Sequence, residues 1–415
     1  MNNKTIILIC CIFYINFAYS QMLPNNNLFH FPDNKGNNYL LNTQYISQSN
    51  SFSYPFIHNL IQNKYITNQI KDYNPYKNKI LAQYEWLNEA HYYHQPDSLF
   101  GSDNTGIHLS TSYKQWFSLM TNKDLIKMIL YGNKLYAGKK INFNSSKFYY
   151  LNFYSLTFGL FKNYWYSSFL LKAIFDINFH VFKEVQYLNI PQGSIFTAED
   201  GTYIDVFLNG LYQASKQYNP GLSFNMGLKW NHLEKQTCIS FQIYQLGFTR
   251  LNTNSQYARI DTTIRFEGIE IQNILNQQTF QSGLLNNDSL VNYYKSFIDT
   301  NFSYLKLPEI MRASFSKKWK HKIFKESFAA ITFVFHTEQS IPELCLSQTL
   351  ALRSNLDINT GTILFGFSTF NPFISICYRN SNKWEIQLFY SNPLSYINKK
   401  YHYNNSLQLF FKKAF

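Results

Sequence analysis

The sequence has no long apolar run of the kind that crosses a membrane as a helix. Beyond the N-terminus, no stretch stays uniformly apolar over the about 20 residues that such a helix requires, so helical membrane spans are excluded. The mean hydropathy of −0.28, taken alone, suggests a soluble protein. A membrane β-barrel escapes this test, because only every second residue of its strands faces lipid.

Cysteine is also scarce, and the motifs of cofactor chemistry are missing. Cys10 and Cys11 lie near the N-terminus, while Cys238, Cys345 and Cys377 stand singly. These spacings indicate neither a disulfide framework nor a metal site. The chain has no CxxC, no glycine-rich phosphate loop and no paired-carboxylate motif. The sequence therefore predicts no cofactor, no resident metal and no enzymatic activity.

Charged residues make up only 15% of the chain, and acidic ones are in the minority, which gives a formal net charge of +13. A basic chain could bind nucleic acid. Here, however, the Lys and Arg residues are scattered and form no basic helix. Contact with anionic lipid head groups, or solubility alone, is the better explanation. We expect no nucleic-acid partner.

The N-terminus has the three parts of a secretory signal peptide. Lys4 supplies a positive charge, an apolar run follows over 6–15, and small residues including Ala18 and Ser20 precede the expected cut near Gln21. The apolar run is too short to span a bilayer. Residues 1–20 are thus predicted to be a signal peptide, with a retained anchor as the alternative.

Aromatic residues are abundant, at 19% of the chain. Tyr and Trp favour the membrane–water interface, where a ring is buried while its polar end stays wet. An AT-rich genome would enrich Tyr, Asn, Lys and Ile as well, but it would not make apolar residues alternate.

Alternation is clearest over 164–181, YWYSSFLLKAIFDINFHV. Its odd-numbered positions are almost all apolar, and its even-numbered positions include Lys172, Asp176, Asn178 and His180. Successive side chains of a strand point to opposite faces, so this is a strand with one apolar and one polar face. It is longer than an ordinary strand of about 5–6 residues and suits a transmembrane β-strand. The four polar residues are predicted to line a barrel lumen.

The rest of the chain also consists mainly of predicted strands, so we expect an all-β fold. Strands in series over 106–415, many joined by short breaks, predict a transmembrane antiparallel β-barrel of about 14 strands, with a range of 12–16. Within it, turn residues predict a hairpin turn at 162–163, a loop at 186–201 and a long extracellular loop at 273–306. Residues 21–105 form an N-terminal region that is either a plug or the first strands.

One short helix interrupts the strands. Thr121 is predicted as its N-cap, Asp124 lies in its first turn, and Gly132 ends it. We expect a surface or plug element, and the fold to contain one or two short helices in all.

Two weaker patterns contain residue types that are typical of catalytic or metal sites. His108 and Ser110 share a strand face, and Asn122 follows at the spacing of an outer-membrane phospholipase site, in which a histidine activates a serine. A cluster of Glu89, His91 and His94 has residue types that suit zinc. Polar lumen or surface residues are the preferred interpretation of both.

The C-terminal strand ends in Phe415, with alternate apolar residues Phe411, Leu409 and Leu407 behind it. This pattern resembles the signal that barrel-assembly machinery reads on outer-membrane proteins. Lys413 stands where an aromatic residue is expected, so the match is partial.

Several stretches resemble a family of outer-membrane β-barrels of Bacteroidota described only as a domain of unknown function. They are the helix with the following Gly-Asn in 121–138, the paired strands at 221–230 and 238–250, and short motifs at 266–269 and 307–308. Gln245 stands where that family has Asp. The resemblance covers roughly 106–415 and implies architecture and location. More distantly, the chain is similar to barrels of the fatty-acid-transporter type.

Together these features predict an outer-membrane β-barrel of a Gram-negative bacterium, without enzymatic activity. A channel or transporter for small or apolar molecules is the leading function. A structural or docking barrel in secretion or surface assembly is the alternative, and a lipid hydrolase is a third. Outer-membrane lipid and the barrel-assembly machinery are the expected partners, and the sequence names no substrate.

Overall fold

The computed structural model describes residues 36–52, 56–57, 59, 78–267, 299–300, 303–336, 339–364, 371–380, 384–393 and 404–415. The predicted signal peptide and most of the predicted loop at 273–306 lie outside the described residues.

The fold is a closed antiparallel β-barrel of 14 strands, as predicted. Each wall strand pairs with the next, and the last pairs back onto the first, Asn38 opposite Ala414. In wall order the strands are β1 (Gly36–Ser49), β2 (Lys79–Gln95), β3 (Thr105–Asn122), β5 (Ser146–Trp165), β6 (Phe169–Thr197), β8 (Asn219–His232), β9 (Thr237–Leu251), β13 (Glu309–Lys318), β14 (Phe324–His336), β15 (Gln339–Arg353), β16 (Leu356–Leu364), β17 (Asn371–Arg379), β18 (Trp384–Ser391) and β19 (Asn404–Ala414). The barrel therefore begins within the region 21–105, for which a plug or first strands was expected.

Burial in the wall is inverted relative to a soluble protein. On β6, Phe175 and Phe179 point outward and are 44% and 51% exposed, whereas Asp176 and Asn178 point inward and are buried. The same outward exposure recurs around the barrel, at Leu156, Phe158, Leu228, Ile239, Phe241, Leu388 and Leu409. Soluble proteins rarely expose so many large apolar residues on one continuous surface. An apolar exterior and a polar interior are the features of a barrel whose outer surface is in contact with the hydrocarbon of a membrane.

The two ends of the barrel differ in their connections. At one end, strands are joined by short turns such as 166–168, 233–236 and 354–355. We call this end the short-turn rim; Asn37 and Phe415 also lie there, joined by backbone hydrogen bonds. At the other end, the long-loop rim, the connections include 50–78 and 252–308. In the described part of the chain, no helix combines the length and apolar character needed to cross a membrane.

β6 is 29 residues long and leaves the barrel at the long-loop rim. Its first half pairs with β8, and its second half pairs with β7 (Tyr203–Ser215), which in turn pairs with β10 (Gln256–Glu267). With β4 (Lys140–Asn142), which also pairs with β6, these strands form an extension sheet beyond the wall. Two short strands follow, β11 (Asp299–Thr300) and β12 (Ser303–Lys306), and β12 pairs with β9. The prediction of a loop at 186–201 was wrong, because β6 continues to Thr197.

The predicted hairpin turn at 162–163 was also wrong. β5 continues to Trp165, and the chain reverses at 166–168, where Tyr166 N donates to Phe169 O at 2.9 Å. Asn163 resembles a turn residue, but it points into the lumen and is buried, with its Nδ2 donating to Gln95 Oε1 at 3.1 Å.

Helix α1 (Lys123–Tyr131) packs against the outer face of the wall at the long-loop rim. Its Ile126 and Leu130 join an apolar cluster with Tyr84 and Phe117, which point away from the lumen. Helix α1 is thus a surface element. Asn122, not the predicted Thr121, is its N-cap, since Asn122 Oδ1 accepts from Asp124 N at 2.8 Å.

Candidate functional site

A cavity of about 150 Å³ lies in the middle of the lumen, and we call it the central cavity. Three of the four predicted lumen residues, Asp176, Asn178 and His180, line it. Lys172 is buried on the same face of β6, four residues nearer the short-turn rim, and lies outside the cavity lining.

Four side chains on three strands form a continuous chain of polar contacts in the central cavity. Glu89 Oε2 lies 3.4 Å from His91 Nε2, and His91 Nδ1 lies 3.0 Å from His108 Nε2. His108 Nδ1 then lies 2.9 Å from Asp176 Oδ1. We call these residues the tetrad. Each imidazole has a carboxylate at one nitrogen and the other imidazole at its second nitrogen.

A glycine makes the last contact of the tetrad possible. His108 lies opposite Gly159, and Gly159 lies opposite Asp176, so the three residues sit side by side on β3, β5 and β6. A Cβ atom on Gly159 would lie 1.8 Å from Asp176 Oδ1. Without a side chain on the middle strand, His108 and Asp176 meet directly above it.

Hydroxyl groups hold the remaining polar residues of β6. His180 Nδ1 lies 2.6 Å from Ser155 Oγ, and its Nε2 lies 2.8 Å from Ser223 Oγ. Asn178 accepts from Thr157 Oγ1 at 2.9 Å and donates to Ser223 Oγ at 3.0 Å. Since neighbouring strands fix both side chains, this wall of the cavity has a defined arrangement of donors and acceptors.

The two chemical alternatives from the sequence do not assemble in the structure. Both ring nitrogens of His108 are engaged by Asp176 and His91, and Asn122 is the helix cap, about 45 Å away along β3 at about 3.3 Å per residue. His94 does not join Glu89 and His91, because its Nδ1 lies 2.6 Å from Asn37 Oδ1. In the described part of the chain, no three His, Cys, Asp or Glu side chains are arranged so that they could hold a metal ion.

An apolar layer lies between the central cavity and the long-loop rim. It comprises Trp116, Tyr149, Leu151, Phe153, Phe182, Val185, Tyr187, Leu251, Leu305 and Leu307. Phe153 belongs to this layer and also lines the central cavity, so the two are continuous. A solute moving along the lumen from the long-loop rim would meet apolar side chains first and polar ones afterwards.

A second cavity, of about 220 Å³, lies near the short-turn rim, and we call it the vestibule. Asp357 is its buried hub. Its Oδ1 accepts from Lys325 Nζ at 2.6 Å, its Oδ2 pairs with Arg379, and Arg379 Nε also donates to Glu385 Oε2 at 3.2 Å. The vestibule is therefore lined by charges of both signs.

On β9, the alternation of inward and outward side chains shifts by one residue at Gln245. Before it, Ile239, Phe241 and Ile243 point outward, and after it Leu246 and Phe248 do, so the outward set changes from odd to even numbers. Gln245 has a φ of 57°, and the ladder between β8 and β9 is irregular at this point. Gln245 N donates to Asn225 Oδ1 at 2.9 Å, and both residues line the central cavity.

The predicted assembly-signal residues lie on the outer face of β19 and at its end. Leu407, Leu409 and Phe415 are exposed and Phe411 is partly exposed. The Phe415 ring lies edge-on to Tyr39, with centroids 5.3 Å apart. Recognition by assembly machinery stays a prediction.

No family model and no curated protein matches the chain, so the resemblance to a Bacteroidota family also stays a prediction. Among solved structures, the chain is similar to the toluene transporter TbuX of Ralstonia pickettii, with 8% identity, a TM-score of 0.45, and 92% of this chain and 90% of that chain covered. It is similar to the deltaS2S3 mutant of the monoaromatic hydrocarbon channel TodX, with 8% identity, a TM-score of 0.44 and 95% of each chain covered. The Escherichia coli outer membrane protease OmpT is similar with 8% identity and a TM-score of 0.25, with 94% of this chain and 99% of that chain covered.

The sequence pointed to every member of the tetrad singly but not to the group. Sequence spacing groups Glu89 and His91 with His94, His108 with Ser110, and Asp176 with the other polar residues of its own strand. The inward parity of all four was readable from alternation. Their grouping depends on the register between β2, β3, β5 and β6, which short-range patterns do not contain.

Proposed function

We propose that the chain is a non-enzymatic outer-membrane channel for small molecules. One observation carries this proposal: a closed wall with an apolar exterior surrounds two polar cavities, one in the middle of the lumen and one at its short-turn rim. A purely structural barrel has no need of an internal space lined by ordered polar groups.

The apolar exterior supports a location in the outer membrane of a Gram-negative bacterium, with membrane lipid as the surrounding partner. In barrels of that kind, the periplasmic turns are short and the extracellular loops are longer. The short-turn rim and vestibule therefore face the periplasm, and the extension sheet and helix α1 lie on the extracellular side.

The residues that line the lumen indicate the charge and polarity of the solute. The apolar layer comes first from the outside, and the central cavity follows, with Glu85, Glu89 and Asp176 against a single Lys114. Lys114 Nζ pairs with Glu85 at 3.0 Å, which leaves a surplus of negative charge. Small uncharged or cationic solutes with an apolar part suit this sequence of surfaces better than anions do.

Conductance across a planar bilayer tests the proposal, and thiol blocking identifies the path. Ser110→Cys places a thiol in the central cavity, and Leu109→Cys, its neighbour on the strand, places one on the lipid face. Both are made after the native Cys238, Cys345 and Cys377 have been replaced by Ser. A charged thiol reagent should lower the conductance of the Ser110→Cys barrel at least severalfold and leave the Leu109→Cys barrel unchanged.

The other two functions predict different results. A docking barrel gives a folded protein without conductance under any condition, which would overturn the proposal. A lipid hydrolase gives lipid hydrolysis that His108→Ala and Ser110→Ala each abolish. Absence of hydrolysis in the parent protein ends that alternative.

A further inference from the structure

The two histidines of the tetrad face each other edge to edge. Their ring planes are 13° apart and their centroids are 5.3 Å apart, while the two facing nitrogens are only 3.0 Å apart. The rings thus lie nearly in one plane with nitrogen aimed at nitrogen, which is the geometry of an N–H···N hydrogen bond.

Counting hydrogens shows that the tetrad lacks one. It has three contacts: Glu89 to His91, His91 to His108, and His108 to Asp176. Each contact needs one hydrogen, because a carboxylate oxygen and an unprotonated ring nitrogen only accept. Two neutral imidazoles carry one N–H each and supply two hydrogens for three contacts. In that state, one contact sets a lone pair against a lone pair or a carboxylate.

The charges around the tetrad favour an added positive charge. Asp176 is fully buried, and its Oδ2 has no hydrogen-bond partner in the described part of the chain. The one nearby cation among the cavity-lining residues, Lys114, is paired with Glu85. The remaining titratable neighbours that line the cavity are Tyr93, which stacks on His108 with centroids 4.3 Å apart, His180 on the same strand as Asp176, and Tyr244 on β9. Two carboxylates thus share this site, and a buried carboxylate oxygen without a hydrogen-bond partner is costly.

We propose that the tetrad is a proton-binding site that holds one hydrogen more than two neutral imidazoles supply. That hydrogen completes all three contacts and reduces the net charge of the tetrad from two negative charges to one. It comes from water in the cavity and enters at Glu89 and His91, whose side chains are 21% and 16% exposed, and not at the buried His108 and Asp176.

The site does not accommodate a metal ion between the two histidines. In a tetrahedral zinc site, with zinc–nitrogen bonds of about 2.0–2.1 Å, two ligating nitrogens are about 3.3–3.4 Å apart and both lone pairs aim at the ion, whereas these two nitrogens aim at each other. They lie 3.0 Å apart, which is the length of a hydrogen bond.

Histidine-selective NMR of the folded chain in detergent micelles tests proton binding without relying on transport. Between about pH 8 and about pH 5, the His91 and His108 signals should move together with one shared midpoint, since strongly coupled groups titrate as a unit. In His108→Gln, the His91 midpoint should shift by at least about one pH unit. His94→Gln, on the same strand but outside the tetrad, should leave both signals unchanged. His91 and His108 signals with separate midpoints, each indifferent to replacement of the other residue, would overturn the proposal.

A second variant guards against a folding defect in His108→Gln. Glu89 lies at the partly exposed end of the tetrad, so Glu89→Gln removes one carboxylate with little disturbance of packing. The shared midpoint should move to lower pH by at least about one unit, because the added hydrogen loses its charged acceptor. An unchanged midpoint in this folded variant would equally contradict the site.

The consequence for permeation rests on the proposed channel function. Uptake of the hydrogen halves the negative charge of the tetrad, so cation selectivity, read from the reversal potential in a salt gradient, should fall as the pH is lowered through the NMR midpoint. Glu89→Gln should move both transitions together. Absence of any conductance would contradict the channel while leaving the NMR result to decide the site, and a pH-independent selectivity in a conducting barrel would contradict its role in permeation.

Discussion

Asp176 Oδ1 lies 2.9 Å from His108 Nδ1, although a whole strand of the barrel wall stands between the two residues. The intervening position is Gly159, and the side chains meet in the space that its missing Cβ leaves. The tetrad, which runs along the inner face of the wall, therefore depends on a position that has no side chain.

Gly159→Ala should break this contact. The added methyl group would overlap Asp176 Oδ1, and loss of a buried, charge-assisted hydrogen bond should destabilise the barrel by about 1.5–3 kcal/mol in urea unfolding from lipid vesicles. In an Asp176→Ala background, the methyl group finds room, so the same substitution should cost little. An equal cost in both backgrounds would mean that Gly159 acts through the backbone and not through the tetrad.

Charge on the outer face of the wall should be costly in a depth-dependent way. Phe175 lies midway along the part of β6 that belongs to the wall, so Phe175→Arg should reduce the folding free energy by about 2–4 kcal/mol. Tyr166→Arg, an exposed position in a short-rim turn, should cost about 0–1 kcal/mol. Equal costs in folding titrations into vesicles would place both sites at the same depth and contradict the membrane orientation.

Removal of the vestibule's acidic hub should change ion selectivity. Asp357→Asn leaves Lys325 and Arg379 without their shared carboxylate, so the reversal potential in a salt gradient should shift toward anions. Asp205→Asn is the matched control, because Asp205 pairs with Arg265 on the extension sheet, away from the lumen. A shift of the same size in both variants would show that the vestibule is not on the permeation path.

The phase change at Gln245 should tolerate only certain side chains. A φ of 57° is left-handed, and a β-branched residue there is strained, so Gln245→Val should destabilise the barrel by about 1–2 kcal/mol. Asn accepts this conformation more readily, so Gln245→Asn should be near neutral. Thermal unfolding that ranks Val equal to Asn would argue against a backbone requirement at this site.

Alternation alone was enough to predict the wall and its faces. The exposed odd-numbered residues Phe175 and Phe179, set against the buried Asp176 and Asn178, are the pattern read from the sequence. Because the lumen is polar, strand and turn residues look alike there. The prediction of a turn at 162–163 was wrong for this reason: Asn163 has the residue type of a turn but points into the barrel from β5.

The misplaced loop at 186–201 has a related cause. Pro191 and Gly193 resemble loop residues, but an irregularity in the ladder between Asn189 and Gln192 accommodates them and lets β6 continue. The tetrad could not be predicted from the sequence for a different reason. Which inward side chains touch depends on strand register, and at Gln245 even the inward parity changes within one strand.

β6 carries its hydrogen-bonded ladder well past the barrel wall before the chain reverses at 198–202. Because this reversal is supported by the extension sheet and not by the wall, an antibody epitope inserted between Asp200 and Gly201 would stand clear of the lipid head groups. In the proposed orientation, antibody added to intact cells would reach this epitope, and the insertion would leave the hydrogen-bonded ladder of the barrel wall unchanged.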